Sequence, residues 1–325
     1  MKLANFYRIT LTFIFSVLIS LAPVLSANAA KRLSASVADW TGGMVTCQVA
    51  VAVLEQELGY KVKRINIPSG TGLYEAIAAG DVDFACESWP SYTEMDTVMV
   101  GKFGGDGSVQ WLGDTGIVGA SDYYVPKYFV DENPDFKSWK DLNKYKDKFS
   151  TIETGDKGRL IGCPVPGWNC YDQKRLDMLG IDFIADELGT ETASWAEAQA
   201  AFARKEPFLL YSWEPHWIHA AMDLVGVKLP PNAPCETWNE ADNYKDCGQG
   251  KWPATGWAED VTFNYGNPDV FKDHPEAAHM FSKFSISNKD QAKMIYAVDK
   301  DGRDIAEVVQ EWKDANKDIW SAWLP

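Results

Sequence analysis

The sequence predicts an α/β protein with two lobes, mainly parallel sheets and a ligand cleft between the lobes. Predicted strands and helices alternate along the chain, which is typical of parallel sheets covered by helices. A second alternating series begins after Gly116, and 325 residues suffice for two lobes of ordinary size.

The first series is read from apolar spacing and from the glycines that end helices. Val45, Val49 and Val53 recur at helical spacing, and Gly59 and Gly80 follow the predicted helices. In order, the elements are strand 33–39, helix 44–58, strand 61–67, helix 72–79 and strand 82–86. The last strand runs into Glu87-Ser88-Trp89-Pro90, and ligands of open α/β sheets bind beyond the carboxyl ends of strands.

The second series contains strands 117–120 and 123–125, helix 137–145, strand 158–161, helices 171–179 and 196–204, and strand 207–213. The remainder, 224–325, contains three helical stretches and is expected to return to the first lobe. Crossings near 117–121 and 217–224 would form a hinge. The predicted division is therefore lobe I at 30–118, lobe II at 119–218, and the return of lobe I at 219–325.

The first 29 residues have the pattern of a secretory signal peptide. Lys2 and Arg8 precede an apolar run over 9–25, and Ala27-Asn28-Ala29 supplies a small-residue cleavage pattern. We expect cleavage before Ala30 and a mature protein in the periplasm. The alternative is a membrane anchor, which the break at Pro23 disfavours.

Charge limits the partners. Lys and Arg number 31 against 46 Asp and Glu, a net charge of −15. Nucleic acid and anionic membranes are therefore not expected partners, whereas a cationic or zwitterionic ligand is. We expect a monomer.

Six cysteines in an exported chain favour disulfides. Six cysteines allow 15 connectivities. Spacing favours Cys163–Cys170 and Cys235–Cys247, because both close short loops, and this leaves Cys47–Cys86. The sequence contains no CxxC pair, so it gives no indication of a zinc site.

Four of the 14 tryptophans stand out by position. Trp40, Trp89, Trp168 and Trp213 each follow a predicted strand, in a turn that contains Gly or Pro. Rings at these strand ends would converge on the cleft and form an aromatic box. Such a box suits a fully methylated nitrogen, which has no N–H to donate and is attracted to ring faces.

The alternative is that these rings pack in the core. Core packing is the prediction for the tryptophans on or beside helices, namely Trp111, Trp139, Trp195, Trp312, Trp320 and Trp323. Trp217 fits the core and the cleft wall equally well.

At these residues the chain resembles the substrate-binding proteins of ABC importers for glycine betaine, choline, proline betaine and trimethylamine N-oxide. The resemblance rests on the opening Ala-Asp-Trp turn, the C-terminal Trp-rich helix, Leu58-Gly59-Tyr60, Ala79-Gly80-Asp81-Val82-Asp83, Tyr124-Val125-Pro126 and, most specifically, Trp213-Glu214-Pro215-His216-Trp217. It implies a type II periplasmic-binding-protein fold, an inner-membrane ABC permease as partner, and no enzymatic activity. It assigns the cage role to Trp40, Trp89 and Trp213, while Trp168 matches by place only.

Differences between this chain and the family reduce the number of ligands expected. Choline binders of the family carry an acidic residue two places after the first cage Trp, where this chain has Gly42. Trp168 would leave little room for a carboxymethyl arm. Trimethylamine N-oxide is therefore slightly favoured over glycine betaine, and a glycine betaine or proline betaine receptor is the alternative. Candidate ligand-binding groups besides the rings are Glu87, Glu132, Glu214 and His216.

An exported hydrolase is the rival of another class, but the chain has no recognisable catalytic motif. A carbohydrate-binding module would also use tryptophans, yet it would lack paired lobes. No cofactor is expected, except that the loop between Cys235 and Cys247 is rich in oxygen ligands for a structural Ca²⁺. These ligands are Glu236, Asn239, Glu240, Asp242 and Asn243. The alternative there is a solvated acidic loop.

Overall fold

A computed structural model describes residues 31–164, 168–232 and 255–325. Its strands are β1 (Arg32–Val37), β2 (Lys61–Asn66), β3 (Phe84–Ser88), β4 (Gln110–Pro126), β5 (Gly158–Ile161), β6 (Phe183–Asp186), β7 (Leu209–Glu214), β8 (Leu224–Gly226) and β9 (Asp260–Gly266). They form one nine-stranded sheet in the order β2-β1-β3-β9-β4-β7-β5-β6, and β8 also pairs with β4.

The helices are α1 (Thr41–Gln56), α2 (Thr71–Ala79), α3 (Met95–Met99), α4 (Lys127–Glu132), α5 (Leu142–Phe149), α6 (Asp172–Met178), α7 (Glu191–Ala203), α8 (Ile218–Ala221), α9 (Pro268–Asp273), α10 (Pro275–Lys283), α11 (Asn288–Asp299), α12 (Ile305–Ala315) and α13 (Lys317–Trp320). α1 contacts β1, β2 and β3 as well as α11 and α12, whereas α5 and α7 contact β5. Helices therefore cover the sheet at both ends, as the alternation of elements predicts.

One long strand joins the two lobes. β4 pairs with β9 as far as Gly119 and with β7 from Ala120 onward. The sequence predicts two short strands here, at 117–120 and 123–125, but the structure has a single strand of 17 residues. We refer to β1, β2, β3, β9 and the first part of β4 as lobe I, and to β5 to β8 and the last part of β4 as lobe II.

The sheet is mixed rather than mainly parallel, which corrects the sequence-based expectation. Four of the eight described pairings are antiparallel, and all four involve β4 or β9. Two of these pairings are made by β9, which the sequence reading missed, and the other two join β4 to β7 and β8. β9 returns from lobe II and runs antiparallel between β3 and β4.

β8 follows directly after the second predicted crossing, near 217–224. Leu224–Gly226 still pairs with Tyr124–Pro126, at the lobe II end of β4. The division of the chain into domains at 118/119 and 218/219 stays a prediction.

Two of the three predicted disulfides are present. Cys47–Cys86 ties α1 to β3, and Cys163–Cys170 closes the loop that follows β5. Cys235–Cys247, the five candidate calcium ligands and the signal peptide at 1–29 lie outside the described residues. Within the described ranges, no helix combines the length and apolarity needed to cross a bilayer.

Candidate ligand-binding site

A cavity of about 70 Å³ lies between the two lobes. All four tryptophans predicted from strand-end positions line it, two from each lobe. The lining residues are Trp40, Ser69, Gly70, Tyr74, Glu87, Ser88, Trp89, Tyr92, Thr93, Trp168, Tyr211, Trp213 and Tyr265. Among the described residues that line the cavity, Glu87 is the one carboxylic acid, and none is basic.

The lobe I wall is held by hydrogen bonds. Trp40 precedes α1 and Trp89 follows β3, so both rings stand at the edge of the lobe I sheet. Glu87 Oε1 accepts the indole N–H of Trp40 at 3.4 Å and that of Trp89 at 3.1 Å. A single carboxylate therefore orients two of the four rings.

The second oxygen of Glu87 is also bonded. Oε2 accepts from Gln291 Nε2 at 2.6 Å and from the hydroxyl of Thr46. The residue has φ of +59°, a left-handed conformation that costs energy for a side chain of this kind and occurs where surrounding structure imposes it. The four donors hold this carboxylate in the wall of the cavity.

Glu87 is a buried acid that forms no ion pair with any of the described residues. Burial raises its pKa from 4.5 to about 7, although hydrogen bonds from Thr46, Trp89, Trp40 and Gln291 lower it. Burial removes water from the ionised carboxylate, and a cation in the cavity would compensate for that loss.

Two glycines allow the lobe I rings to lie against the backbone. A Cβ at Gly43, in the first turn of α1, would overlap the Trp40 ring. A Cβ at Gly119, where β4 passes between the lobes, would overlap the Trp89 ring. The positions of both rings thus depend on glycine at a close approach.

The lobe II wall is held by ring packing. Trp213 lies 5.2 Å from Trp195, 5.8 Å from Tyr211 and 5.7 Å from Trp168, measured between ring centroids. Trp168 sits within the loop closed by Cys163–Cys170 and packs edge-on against Trp40 at 5.8 Å. It is therefore the ring through which the two walls meet.

Polar groups also join the lobes. Trp168 donates its indole N–H to Asp39 at 3.4 Å. The Tyr211 hydroxyl donates to the Tyr92 hydroxyl at 2.7 Å, which in turn donates to Ser121 at 2.5 Å. The described conformation is therefore a closed one, with contacts across the cleft.

Three of the other candidate residues do not line the cavity. Glu132 is exposed at the end of α4. Glu214 is exposed because it follows the inward-facing Trp213 in β7, and successive side chains of a strand point to opposite faces. His216 is buried and contacts Glu191 at 3.0 Å instead of the cavity. Trp217 is also buried, and its indole N–H is bonded to Asp299.

The sequence reading missed the hydroxyl-bearing residues of the cavity and the groups behind Glu87. Tyr92 shares the Pro90 turn with Trp89, so its place next to the cage was readable from sequence. Thr46 and Gln291 had no such signal, because Gln291 reaches Glu87 across 204 positions of sequence.

Residues 31–315 match the family described as OpuAC, the substrate binding domain of ABC-type glycine betaine transport systems. The chain belongs to this family. It is therefore a substrate-binding protein of the betaine and choline type of ABC transporter. Over 304 residues, covering 91% of each chain, it is 27% identical to a trimethylamine N-oxide-binding protein of Pelagibacter ubique (strain HTCC1062).

Solved structures of this type share the two-lobed fold. Lactococcal OpuAC in its closed form with glycine betaine has a TM-score of 0.66 at 16% identity, over 91% of this chain and 100% of that one. ProX from Borrelia burgdorferi gives 0.67 at 19% identity, over 91% and 97%. A choline binding protein in complex with choline gives 0.64 at 16% identity, over 91% and 93%. These likenesses establish the fold predicted from sequence.

Proposed function

We propose that this OpuAC-family protein binds a small methylated ammonium compound in the tryptophan cage, with trimethylamine N-oxide as the preferred ligand. The observation that carries the proposal is the convergence of Trp40, Trp89, Trp168 and Trp213 around a buried carboxylate. Ring faces attract a methylated cation, and Glu87 supplies a countercharge.

The energies are sufficient for useful affinity. A desolvated cation–π contact contributes about 0.5 to 2 kcal/mol, and four rings are available. Micromolar binding requires about 8 kcal/mol. The cage and the Glu87 charge can together supply most of this free energy.

Size favours the N-oxide. The cavity is small, about 70 Å³, and therefore favours the most compact of the three candidate ligands. Trimethylamine N-oxide has five non-hydrogen atoms, choline has seven and glycine betaine has eight. The homology to a trimethylamine N-oxide-binding protein supports the same choice.

The N-oxide oxygen needs a hydrogen-bond donor, and the cavity offers hydroxyls. Thr93 Oγ1 accepts the backbone N–H of Met95 at 3.1 Å, which leaves its own proton to donate. Tyr265 is buried in the lining and stacks on Tyr74 at 4.6 Å. We assign the oxygen to this hydroxyl-bearing side of the cavity.

The physiological role follows from the family. We propose that the mature protein works in the periplasm after removal of 1–29, and that its closed form delivers the ligand to an inner-membrane ABC permease. Ligand contacts from both lobes favour the closed state, which the permease would recognise.

Calorimetric titration of the mature protein with trimethylamine N-oxide, glycine betaine and choline tests this proposal. The N-oxide should bind most tightly, at micromolar affinity or better. Tighter binding of glycine betaine would make that compound the preferred ligand. No detectable binding of any of the three compounds would refute the binding function.

A further inference from the structure

A second polar junction between the lobes lies outside the ligand cavity. On the lobe II side are Glu191, at the start of α7, and His216 and Trp217, which follow β7. On the lobe I side are Thr41, at the start of α1, and Asp299, at the end of α11. None of these five residues lines the cavity.

Glu191 caps a helix of the opposite lobe. Its Oε2 accepts the backbone N–H of Thr41 at 2.9 Å. Trp40, the N-cap residue of α1, makes no side-chain capping bond, so the carboxylate satisfies a free N–H at the helix start. A negative charge at this end is also favoured by the helix dipole. Opening of the cleft would remove this cap.

Asp299 makes the reciprocal contact from lobe I to lobe II. Its Oδ2 accepts the indole N–H of Trp217 at 2.9 Å, and its Oδ1 accepts the hydroxyl of Thr41 at 2.7 Å. The bond to Trp217 crosses the cleft, and the bond to Thr41 holds Asp299 in position for it.

His216 connects this junction to the cage. Its Nδ1 accepts the backbone N–H of Ile218 at 3.2 Å, which assigns the proton to Nε2, 3.0 Å from Glu191 Oε1. The imidazole also lies 5.4 Å from the ring of Trp213, a cage residue. Thr41 is the chain neighbour of Trp40, so the junction adjoins one cage ring in each lobe.

All four carboxylate oxygens at the junction accept hydrogen bonds. Glu191 Oε1 additionally accepts the indole N–H of Trp195 at 3.2 Å. Although Glu191, His216 and Asp299 lie close enough together to ligate a metal ion, their oxygens are already bonded. The arrangement is that of a hydrogen-bond junction.

We propose that Thr41, Glu191, His216, Trp217 and Asp299 form a latch that holds the lobes closed after the cage has formed. The proposal rests on the binding function above and extends it, because these residues position the lobes without touching the ligand. The latch sets how long the ligand stays bound. It leaves the rate of ligand entry unchanged, since the ligand enters while the latch is open.

The test removes two latch bonds. Thr41→Val retains the backbone N–H and removes only the hydroxyl, and Trp217→Phe retains an aromatic ring and removes the N–H. In the double variant, trimethylamine N-oxide should dissociate about tenfold faster, equivalent to about 1.4 kcal/mol, with the association rate unchanged. Stopped-flow tryptophan fluorescence measures both rates.

Matched controls separate the latch from general damage. Thr97→Val removes an exposed hydroxyl that bonds within lobe I, to the Glu94 carbonyl, and should leave both rates at the parent's values. Asp299→Asn, compared with the exposed Asp301→Asn, provides a second latch variant that retains the Trp217 ring. It too should speed dissociation, and its melting temperature shows whether it is folded.

The outcomes distinguish this proposal from the binding function. A parent that binds the ligand, with folded latch variants that release it at the parent's rate, would overturn the latch alone. Slower association at an unchanged dissociation rate would also overturn it. A parent that binds none of trimethylamine N-oxide, glycine betaine and choline would overturn the binding function and the latch together.

Discussion

The two walls of the cage are built by different means. In lobe I, Trp40 and Trp89 share one hydrogen-bond acceptor, Glu87, and each ring rests on a glycine. In lobe II, Trp168 and Trp213 are positioned mainly by neighbouring rings. The lobe I wall is therefore fixed by hydrogen bonds to one buried carboxylate, whereas the lobe II wall depends on ring packing.

The two disulfides also differ between the lobes. Their removal gives the largest expected effect on the free energy of unfolding. Cys47–Cys86 closes a separation of 39 residues and braces the lobe I wall, whereas Cys163–Cys170 closes only 7. In the chain-entropy description, replacing the first pair by serine should lower the free energy of unfolding by about 4 kcal/mol, and the second by about 2.5 kcal/mol. Denaturant titration measures both.

Binding should respond to the two disulfides in the opposite order. The short loop carries Trp168, so its opening should weaken ligand binding more than loss of Cys47–Cys86 does, as measured by calorimetry at a temperature where both variants are folded. Equal losses of affinity would mean that the walls are not separately supported.

Substitution of one ring in each lobe tests the difference between the two walls. Trp89→Ala should weaken binding by about 3 kcal/mol, because it removes a cation–π contact, leaves a cavity and frees one side of Glu87. Trp168→Ala should cost about 2 kcal/mol, since its carboxylate partner, Asp39, is not fully buried and orients no second cage ring. Trp139→Ala, at a partly buried ring away from the cavity, is the calorimetric control and should bind like the parent. A larger loss for Trp168→Ala than for Trp89→Ala would reverse the proposed roles of the walls.

Glu87 predicts a pH dependence of stability. Its pKa is raised to about 7 in the folded protein, so folding favours the protonated form and its contribution is lost as pH rises toward 7. From pH 5 to 8, the ligand-free parent should lose about 2 to 3 kcal/mol of unfolding free energy relative to Glu87→Gln. Melts of both proteins across this range provide the measurement, and parallel curves would contradict the raised pKa.

Ligand affinity should increase as pH rises, whereas the stability of the ligand-free protein decreases. The ionised carboxylate attracts the ligand, so the parent should bind more tightly above pH 7 than at pH 5.5, and Glu87→Gln should bind weakly with little pH dependence. Titrations at the two pH values test this, and an unchanged dependence in the variant would assign it to another group.

Gly119→Ala gives the smallest expected effect. The new methyl group must displace the Trp89 ring, and binding should weaken by about 1 to 2 kcal/mol. Gly72→Ala, where an added Cβ meets open space in α2, is the matched control. Unchanged ligand affinity in Gly119→Ala would mean that contact with Gly119 does not fix the position of the Trp89 ring.

The cage rings were predictable because their signal is local. A tryptophan in a Gly or Pro turn after a strand indicates the carboxyl edge of a sheet, and all four rings line one cavity. The short disulfide loop was readable for the same reason, since its two cysteines are 7 residues apart.

The features that the sequence did not predict depend on contacts distant in sequence. β9 is a short segment whose antiparallel place between β3 and β4 follows from the whole topology. Glu87 was a candidate, but its role in orienting two rings requires Thr46 and Gln291, which tertiary packing brings together. Glu132 and Glu214 could not be separated from Glu87 by residue type, because only burial distinguishes them.

The central claim is that the cage binds its ligand by positive charge as well as by shape. Trimethylamine N-oxide and tert-butanol have nearly the same size and outline, but only the first carries a charged nitrogen. Calorimetric titration of the mature protein should give at least about 100-fold tighter binding of the N-oxide, in line with several cation–π contacts and the Glu87 charge. Equal affinities for the two compounds would contradict the account.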